Sequence, residues 1–281
     1  MKLKAIRVRT MFWRPGTDFI AEIANAVRPL IMDGDVVTIS EKALSTAMGF
    51  IVDESRIVPG AVALFLAGFW MRKIWGGPLG CLTKLRQNTL ERLRDYPKKE
   101  GSAHKQVALW YTGLLQALRH YSEGGIDASN LPYSYVCMPL RNPRKVAEEI
   151  QEELLKQMHG ITVILVDGDT TYSWRNLHLS PRRIPVRGTF HFGGFLTFVV
   201  GRILGFHSRA SIVALSGRTM NPDYALTLAN VAHRVRGYGA GRTVWDMAER
   251  FNVELTEITW KMLDTVKHYP IVILREVNTK K

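Results

Sequence analysis

Two polar stretches, far apart in the sequence, contain the residue types that a metal-assisted phosphate site needs. The first is a glycine-rich turn, residues 124–132, in which Asp127 offers a carboxylate beside hydroxyl and amide side chains. The second is an apolar run, residues 161–166, which predicts a buried strand that ends at Asp167 and Asp169. Hard divalent cations prefer carboxylate, hydroxyl and water oxygens. We therefore expect Asp127 and Asp169 to lie close enough together to share one ion.

A third stretch, residues 172–187, is polar and rich in arginine. It contains Arg175, Arg182, Arg183 and Arg187, and its two prolines predict an ordered loop. Because arginine binds phosphate oxygens through two parallel N–H donors, arginines close to the two acids suit a triphosphate and its metal. A solvated basic loop explains the same residues equally well, so the sequence leaves both interpretations open.

Hydrophobic patterning predicts the elements that position these residues. A short β-branched strand, residues 36–40, ends just before Lys42, whose amine can reach into a cleft or simply extend to solvent. Residues 133–140 predict a second strand, and an Asn-Pro pair at 142–143 begins a helix that leads into the strand at 161–166. Strand, helix and strand in this order are typical of a βαβ unit.

The segment from 59 to 123 is predicted to be helical and basic. Within it, residues 107–120 predict one amphipathic helix with five large apolar side chains on its core face. Trp110 and Tyr111 are expected in the core rather than stacked on a nucleotide. The five apolar residues are Leu109, Trp110, Leu114, Leu115 and Leu118.

The last third of the chain predicts further regular elements. Residues 210–216 predict a strand, residues 222–236 a helix and residues 271–275 a closing strand. The loop at 237–243 is rich in glycine and opens another helix. It lacks the spacing and the lysine of a P-loop, so we interpret it as a hinge rather than as a phosphate cradle.

Composition limits the class of protein. The chain has 281 residues, of which 46% are hydrophobic and 22% charged, so it can bury a core and is not a disordered protein. It fits one unit over residues 1–281, and two lobes with an uncertain boundary are the alternative. The net charge of +13 favours polyanionic partners such as nucleotides, RNA or anionic lipid surfaces, although a solvated basic surface gives the same balance.

Redox and targeting signals favour the cytoplasm. Cys81 and Cys137 are too few for a disulfide scaffold and have no zinc-type spacing. The N-terminus alternates charged and apolar residues like a strand and lacks the apolar core of a signal peptide. The apolar stretches at 57–71 and 192–206 are interrupted and fall below the roughly 18–20 residues of a spanning helix, so we expect no transmembrane segment.

Two motifs in this sequence resemble those of a known family. Residues 33–45, Asp-Gly-Asp-Val-Val-Thr-Ile-Ser-Glu-Lys-Ala-Leu-Ser, resemble the N-terminal motif of the coenzyme F420-0:L-glutamate ligase family. Residues 125–130, Gly-Ile-Asp-Ala-Ser-Asn, resemble its signature turn. An Asn-Pro helix start, an Asp-Thr pair at 169–170 and a Trp-Arg pair at 174–175 follow in the family's order. The resemblance covers most of the chain and is strongest over residues 33–50 and 124–176.

The resemblance implies a fold and a reaction. The implied fold is α+β, with mixed sheets and flanking helices, assembled as a homodimer. Family members form a γ-glutamyl amide bond on a lactyl-phospho-deazaflavin, using GTP and divalent metal ions. The implied partners are therefore a nucleotide, L-glutamate and an anionic small-molecule acceptor that is activated as an acyl phosphate.

The resemblance also implies roles for individual residues. Asp127, Asp169 and Thr170 would hold a divalent metal, Mg or Mn. Lys42 would be the catalytic residue that faces the nucleotide or the acyl phosphate. The expected nucleotide- and phosphate-binding residues are Ser45, Ser129, Asn130, Arg175, Arg182 and Arg183.

The chain departs from the family pattern in two places. Residues 45–49 read Ser-Thr-Ala-Met-Gly where the family usually has Ser-Lys-Ala-Glu-Gly, so a cation and an acid are lost. The family's Gly-Gln-x-Asp motif has no counterpart, and residues 188–193 read Gly-Thr-Phe-His-Phe-Gly instead. These losses favour an alternative function, a non-catalytic paralogue that binds RNA or another polyanion through its basic surface. The retained Asp127, Asp169 and Lys42 favour the ligase.

Overall fold

A mixed seven-stranded sheet runs through the part of the chain that the structure, a computed structural model, describes, namely residues 2–121, 123–183 and 186–277. The strands are β1 (Lys2–Thr10), β2 (Val36–Ser40), β3 (Ile51–Asp53), β4 (Tyr135–Cys137), β5 (Thr162–Trp174), β6 (Leu177–Ser180), β7 (Phe190–His191), β8 (His207–Ser216) and β9 (His268–Val277). The sheet has the order β1-β9-β2-β5-β6-β7, and β8 pairs with β5. β3 and β4 form a separate ribbon, in which β4 is shorter than the predicted strand at 133–140.

β2 and β5 are parallel neighbours in the middle of the sheet. They pair from Val36 with Thr162 to Ser40 with Val166, and β9 runs antiparallel to β2 on its other side. All of β2 and the first five residues of β5 are buried, as expected for central strands that are covered on both faces. Lys42 therefore follows β2 at the same edge of the sheet where β5 reaches its acids.

The helices begin where the sequence offers caps or prolines. Asp18 caps the first helix by accepting a hydrogen bond from the Ala21 amide. Proline opens the helix that follows β4 and the helix that follows β8, and the second has the predicted bounds. The helices are α1 (Phe19–Val27), α2 (Glu41–Ala47), α3 (Ala61–Phe65), α4 (Pro78–Leu82), α5 (Gln87–Arg94), α6 (Lys98–Tyr111), α7 (Leu114–Ala117), α8 (Pro143–Leu155), α9 (Gly194–Ile203), α10 (Pro222–Arg236), α11 (Val244–Phe251) and α12 (Trp260–Asp264), and a π-helix, Leu66–Trp75, continues α3.

Helices cover both faces of the sheet. Val163 on β5 packs in an apolar cluster with Val27 of α1 and Ile150 of α8. The next residue, Ile164, packs in a second cluster with Leu226 of α10. This alternation follows from the pleat of a strand, whose successive side chains point to opposite faces. The architecture is α+β with mixed sheets and flanking helices, as the sequence predicts.

The acids lie inside β5 and not beyond its end, which corrects one prediction. The pairing of β5 with β8 shifts between Asp167 and Thr170, so Gly168 and Asp169 form a bulge within the strand. The apolar run stops at the acids, but the backbone ladder resumes after the bulge and continues to Trp174. A bulge re-aims the side chains near it and increases the local twist.

The arginine-rich segment begins as a hairpin, so the prediction of one loop over 172–187 is wrong at its start. β5 pairs with β6, and Arg175 stands at the turn with a φ of 51°. No apolar run predicts this hairpin, because its buried positions include polar side chains that hydrogen-bond to each other across the two strands. Ser173 and His178 are buried, and the Ser173 hydroxyl lies 2.9 Å from His178 Nδ1.

The predicted helix at 107–120 is also wrong. α6 ends at Tyr111, and Gly113 has a φ of 84° and a ψ of 173°, which no right-handed helix can contain. The chain then turns into the short α7. Three residues of the predicted core face, together with Tyr111, are instead exposed by half or nearly half: Trp110 (60%), Tyr111 (52%), Leu114 (53%) and Leu115 (46%).

No helix in the described ranges is both long and apolar enough to cross a membrane. The apolar stretch at 57–71 is divided among a coil, α3 and the π-helix, and the one at 192–206 holds α9. Both therefore contribute to the fold as short helices.

Candidate active site

A cavity of about 1100 Å³ opens at the edge of the sheet where β2 ends, β5 reaches its acids and β9 begins. Ser40 of β2, Val166 of β5 and Pro270 of β9 lie in its wall. Open sheets bind ligands beyond the carboxyl ends of their parallel strands. Typical small-molecule cavities measure about 300–1,000 Å³, so this one has room for more than a single small substrate.

Lys42, Asp127 and Ser129 form one hydrogen-bonded group in the cavity wall. Lys42 Nζ donates to Asp127 Oδ2 at 2.7 Å and to Ser129 Oγ at 2.6 Å. The Ser129 amide donates to Asp127 Oδ1 at 2.7 Å. Burial alone would raise the pKa of Asp127, but the Lys42 ammonium and the Ser129 hydrogen bonds outweigh it and lower that pKa. Asp127 is therefore an ionised carboxylate with a lysine as its counter-ion.

The glycine-rich turn holds Asp127 through its backbone. Asp127 and Cys137 exchange both backbone hydrogen bonds, at 3.2 and 2.9 Å, which joins the turn to β4. Gly124 and Gly125 have φ values of 76° and 99°, which glycine adopts without strain. A Cβ on Gly125 would also collide with the Arg182 guanidinium. The glycines thus allow the turn to approach Arg182.

Arg182 is buried beneath the cavity wall and holds three neighbouring segments together. Its guanidinium donates to Asp167 Oδ2 at 3.0 Å, to Glu41 Oε1 at 2.5 Å and to the Gly124 carbonyl at 3.2 Å. Glu41 also accepts from the Leu140 amide at 3.0 Å. Burial raises the pKa of Glu41 to about 7, against the opposing effect of Arg182. Arg182 connects α2, the glycine-rich turn and β5, so its donors are already engaged within the protein.

Asp169 is buried at the bulge and has one oxygen without a partner. Its Oδ1 accepts from Arg119 Nη1 at 3.3 Å, whereas Oδ2 makes no hydrogen bond with any described residue. Burial, followed by the nearby Asp167 carboxylate, raises the pKa of Asp169 to about 8 despite Arg119. A second cation at this position would favour the ionised form.

A divalent ion fits Asp169 better than it fits Asp127. Both Asp127 oxygens already accept hydrogen bonds, whereas Asp169 Oδ2 is free. Among the described residues, no group of three His, Cys, Asp or Glu side chains lies close enough to hold an ion by itself. Mg²⁺ is commonly held by one or two carboxylates together with substrate phosphates and water, so such a group is not required.

Asn130 links the glycine-rich turn to the glycine-rich loop at 237–243. Its Nδ2 donates to the carbonyls of Tyr238 and Gly241 at 3.2 and 3.1 Å, and its Oδ1 accepts from the Ala240 amide at 2.6 Å. Asn130 lines the cavity, but its amide is occupied by this loop. It therefore fixes one wall of the cavity.

The remaining predicted site residues lie away from the cavity. Ser45 is fully buried in α2, and Thr170 is half-buried and pairs with Ala210 in the sheet. Arg175 stacks its guanidinium over the Trp174 ring at 5.1 Å, and Arg183 is exposed. None of Ser45, Thr170, Arg175, Arg182 and Arg183 is among the described residues that line the cavity.

Sequence reasoning missed two walls of the cavity. One comes from the helical segment and contains aromatic and polar residues, among them Tyr96, His120 and Tyr121. Burial, and then Arg119, lowers the pKa of His120 to about 3, so this imidazole is neutral. The other wall comes from the end of α10. No motif marks either wall, because each depends on how distant parts of the chain pack against the sheet edge.

Two comparisons with known proteins give matches to this chain. The sequence profile of F420-0:gamma-glutamyl ligases matches residues 7–180, more than half of the chain. That range includes β2, α2, the glycine-rich turn and β5. The chain is also 30% identical to an uncharacterized protein of Methanocaldococcus jannaschii, over 97% of this chain and 96% of that one.

Proposed function

The chain belongs to the F420-0:gamma-glutamyl ligase family, and from this premise we propose that it is a GTP- and divalent-metal-dependent ligase that forms an amide bond between L-glutamate and an anionic acceptor. In the proposed reaction a carboxylate oxygen of the acceptor attacks the γ-phosphorus of GTP, which yields an acyl phosphate and GDP. The amine of L-glutamate then attacks the acyl carbon, loses its proton and expels inorganic phosphate. The sum is one amide bond formed for one GTP hydrolysed.

The observation that carries the proposal is the Lys42–Asp127–Ser129 group in the wall of the cavity. Lys42 is held by two acceptors at 2.7 and 2.6 Å, yet its side chain keeps 24% of its surface exposed. An ammonium fixed in this way needs little reorganisation to stabilise negative charge on a transferring phosphoryl group or on an acyl phosphate. All three residues lie within the matched range of the family.

The acids that line the cavity support a metal requirement. Asp169, through its Oδ2, would hold Mg or Mn together with phosphate oxygens, and Asp127 would join it when Lys42 turns to the substrate. Thr170 does not line the cavity and is not part of this proposed metal site. The ion, when bound, would neutralise charge on the nucleotide phosphates. The buried Arg119 and Arg182 keep the Asp169 and Asp167 carboxylates in position from the protein side.

The test is a calorimetric titration with GTP in the presence of Mg²⁺ or Mn²⁺, on the wild-type protein and on Asp127→Asn. Asp95→Asn is the matched control, because Asp95 is exposed and lies outside the cavity. We expect binding by the wild type and the control, and a loss of at least tenfold in Asp127→Asn. Absence of nucleotide binding in all three proteins would refute the ligase.

Product formation tests the reaction itself. The wild-type protein is incubated with coenzyme F420-0, L-glutamate, GTP and Mn²⁺, and the glutamylated product is sought by mass spectrometry. GDP release without that product would retain the nucleotide chemistry and point to another acceptor. The homodimer implied by the resemblance stays a prediction, which light scattering of the purified protein would test.

A further inference from the structure

Arg236 is a cavity-lining arginine without a carboxylate partner. It stands in the last turn of α10, one turn after His233, and both residues line the cavity. Arg236 Nη2 donates to His233 Nδ1 at 3.0 Å. No described carboxylate lies within 4.0 Å of its guanidinium, whereas Arg119 and Arg209 each have one and Arg182 has two.

Other cations surround this position. Burial, and then Arg236, Lys42 and Arg242, lower the pKa of His233 to about 3, so its imidazole is neutral. Because Nδ1 accepts from Arg236, the neutral ring carries its proton on Nε2, which leaves a second N–H donor. Asp127 and Asp167 act on Arg236 through space but make no ion pair with it.

A half-buried guanidinium without a counter-ion has an energetic cost that an anionic ligand would remove. Arginine presents planar, paired donors that match phosphate oxygens, and desolvated sites strengthen such contacts. Ser40, at the end of β2, lines the cavity beside Arg236 and offers a hydroxyl. Cationic and neutral donors therefore converge on one part of the cavity wall.

We propose that Arg236 and His233 form a phosphate-binding subsite, on the wall that α10 contributes to the cavity containing Lys42. The subsite receives a phosphoryl group through the Arg236 guanidinium. Arg236 lies outside the range 7–180 that the family profile matches, so this subsite belongs to the second part of the chain. Binding of phosphate does not depend on the ligase reaction, but the assignment of that phosphate to a substrate rests on the function proposed above.

The competing explanation is that Arg236 only complements the negative end of the α10 dipole. Basic residues in the last turn of a helix have this effect wherever they point. Arg234 occupies the same turn, carries the same charge and is exposed, and it does not line the cavity. Arg234 therefore separates an effect of the dipole or of net charge from binding in the cavity.

The experiment is a titration with inorganic pyrophosphate at low ionic strength, followed by calorimetry, on the wild type, Arg236→Ala and Arg234→Ala. We expect Arg236→Ala to bind at least tenfold more weakly and Arg234→Ala to stay within twofold of the wild type. Arg236→Lys keeps the positive charge but lacks the paired donors of the guanidinium, so we expect its affinity for pyrophosphate to lie between those of the wild type and Arg236→Ala. Thermal unfolding of each variant checks that it is folded, and Arg236→Lys decides the question if Arg236→Ala does not fold.

Equal affinity of the wild type and of the folded Arg236 variants would overturn the subsite, and so would an equal loss in Arg234→Ala. Repeating the titration with the protein saturated with GTP identifies the source of the phosphate. Displacement of pyrophosphate assigns the subsite to the nucleotide, and joint binding assigns it to a phosphate on the acceptor. If GTP does not bind but pyrophosphate binding still depends on Arg236, the ligase fails and the subsite stands.

Discussion

Lys42 and Arg182 both neutralise acids near the cavity, but they differ in what they leave free. Arg182 is buried, and three protein acceptors occupy its guanidinium. Lys42 bonds to side chains at the cavity wall and keeps about a quarter of its own surface accessible. A lysine ammonium is a compact charge with rotatable donors, whereas arginine has a fixed fork. Lys42 can therefore exchange a protein acceptor for a substrate oxygen, whereas Arg182 keeps Glu41, Asp167 and the Gly124 carbonyl in position.

A second group of charges, beside the aromatic residues of the cavity wall, allows a prediction about stability and pH. His104 Nδ1 lies 2.7 Å from Glu54 Oε1, and His104 Nε2 lies 3.4 Å from Glu123 Oε2. Burial would lower the pKa of His104, but the two carboxylates outweigh burial and raise it to about 10. Lys105, fully buried, donates to the same Glu123 at 2.6 Å. His104 is thus a half-buried imidazolium between two acids.

The stabilising effect of His104 should disappear on the alkaline side. Its folded-state pKa lies above the unfolded value of about 6.5, so its contribution is complete below that pH and is lost as pH rises towards 10. The limiting slope is about 1.4 kcal/mol per pH unit. Melting temperatures measured from pH 6 to pH 10 should fall more steeply for the wild type than for His104→Gln. Parallel curves for the two proteins would mean that His104 is neutral in the fold.

The site could be predicted from sequence only where a local motif carries it. Asp127 and Ser129 belong to one turn, and Lys42 follows a strand, so short segments indicate all three. Arg119 lies in a bend after α7 and Arg236 in the last turn of α10, and the side of the sheet edge that each one reaches depends on tertiary packing, which no local spacing determines. Ser45, Arg175 and Arg183 lie outside the cavity, because polar residues near a motif need not face it, and their roles in binding stay predictions.

At the scale of elements, prolines and capping residues in the sequence predicted where helices start, whereas pairing with distant strands determined how far the strands extend. Proline and the Asp18 cap fixed the starts of α1, α8 and α10. The continuation of β5 past its acids depends on β8, which resumes the ladder after the bulge. The break after α6 depends on Gly113, a residue that a helical pattern tolerates. The spacing of apolar residues in the sequence therefore predicts that an element exists better than it predicts where that element ends.

The break after α6 can be tested by a single methyl group. Gly113 has a φ of 84° and a ψ of 173°, a region that is nearly restricted to glycine, and a Cβ there would meet no atom within 4 Å. Gly113→Ala should therefore cost about 1–3 kcal/mol through backbone strain alone. For a chain of this size we expect a melting temperature lower by roughly 2–4 °C per kcal/mol.

Gly68→Ala is the matched control for this substitution. Gly68 lies in the π-helix without a positive φ and also has no atom within 4 Å of a built Cβ. Alanine there should be neutral or stabilising by up to about 1 kcal/mol, because glycine is the weaker helix former. Equal melting temperatures for the two variants would show that α6 and α7 are one helix in solution.

The contact between the glycine-rich turn and the loop at 237–243 makes a prediction about mobility. Asn130 supplies three hydrogen bonds to this loop, including the one from the Ala240 amide. Asn130→Ala removes them, at about 1 kcal/mol each, and should release the loop. Amide hydrogen exchange at Ala240 should become roughly tenfold faster or more. Amides of β2 serve as the internal reference, and unchanged exchange at Ala240 would show that other contacts hold the loop.

At the scale of the whole molecule, the positive charge is compatible with both functions considered. The chain has a net charge of +13, and Asp127, Asp169 and Asp167 at the cavity are paired with Lys42, Arg119 and Arg182 respectively. A ligase would use the charge to raise the local concentration of a nucleotide and an anionic acceptor. A non-catalytic paralogue would use the surface charge on a longer polyanion. The two functions place the anion in different parts of the molecule.

Salt dependence and competition should separate these functions. Binding of single-stranded RNA by surface cations releases counter-ions, and log K then falls against log salt with a slope of about −0.7 per phosphate contacted. We expect a short single-stranded RNA to bind weakly, to dissociate as salt approaches physiological concentration and to be indifferent to Asp127→Asn. GTP with Mg²⁺ engages few phosphates inside the cavity, so its affinity should fall less steeply and should depend on Asp127. Fluorescence anisotropy of labelled RNA, with and without saturating GTP, makes the comparison in one protein. A different result would favour the non-catalytic function over the ligase. In that result RNA stays bound at physiological salt, GTP displaces it, and Asp127→Asn weakens its binding. The polyanion would then lie in the cavity itself.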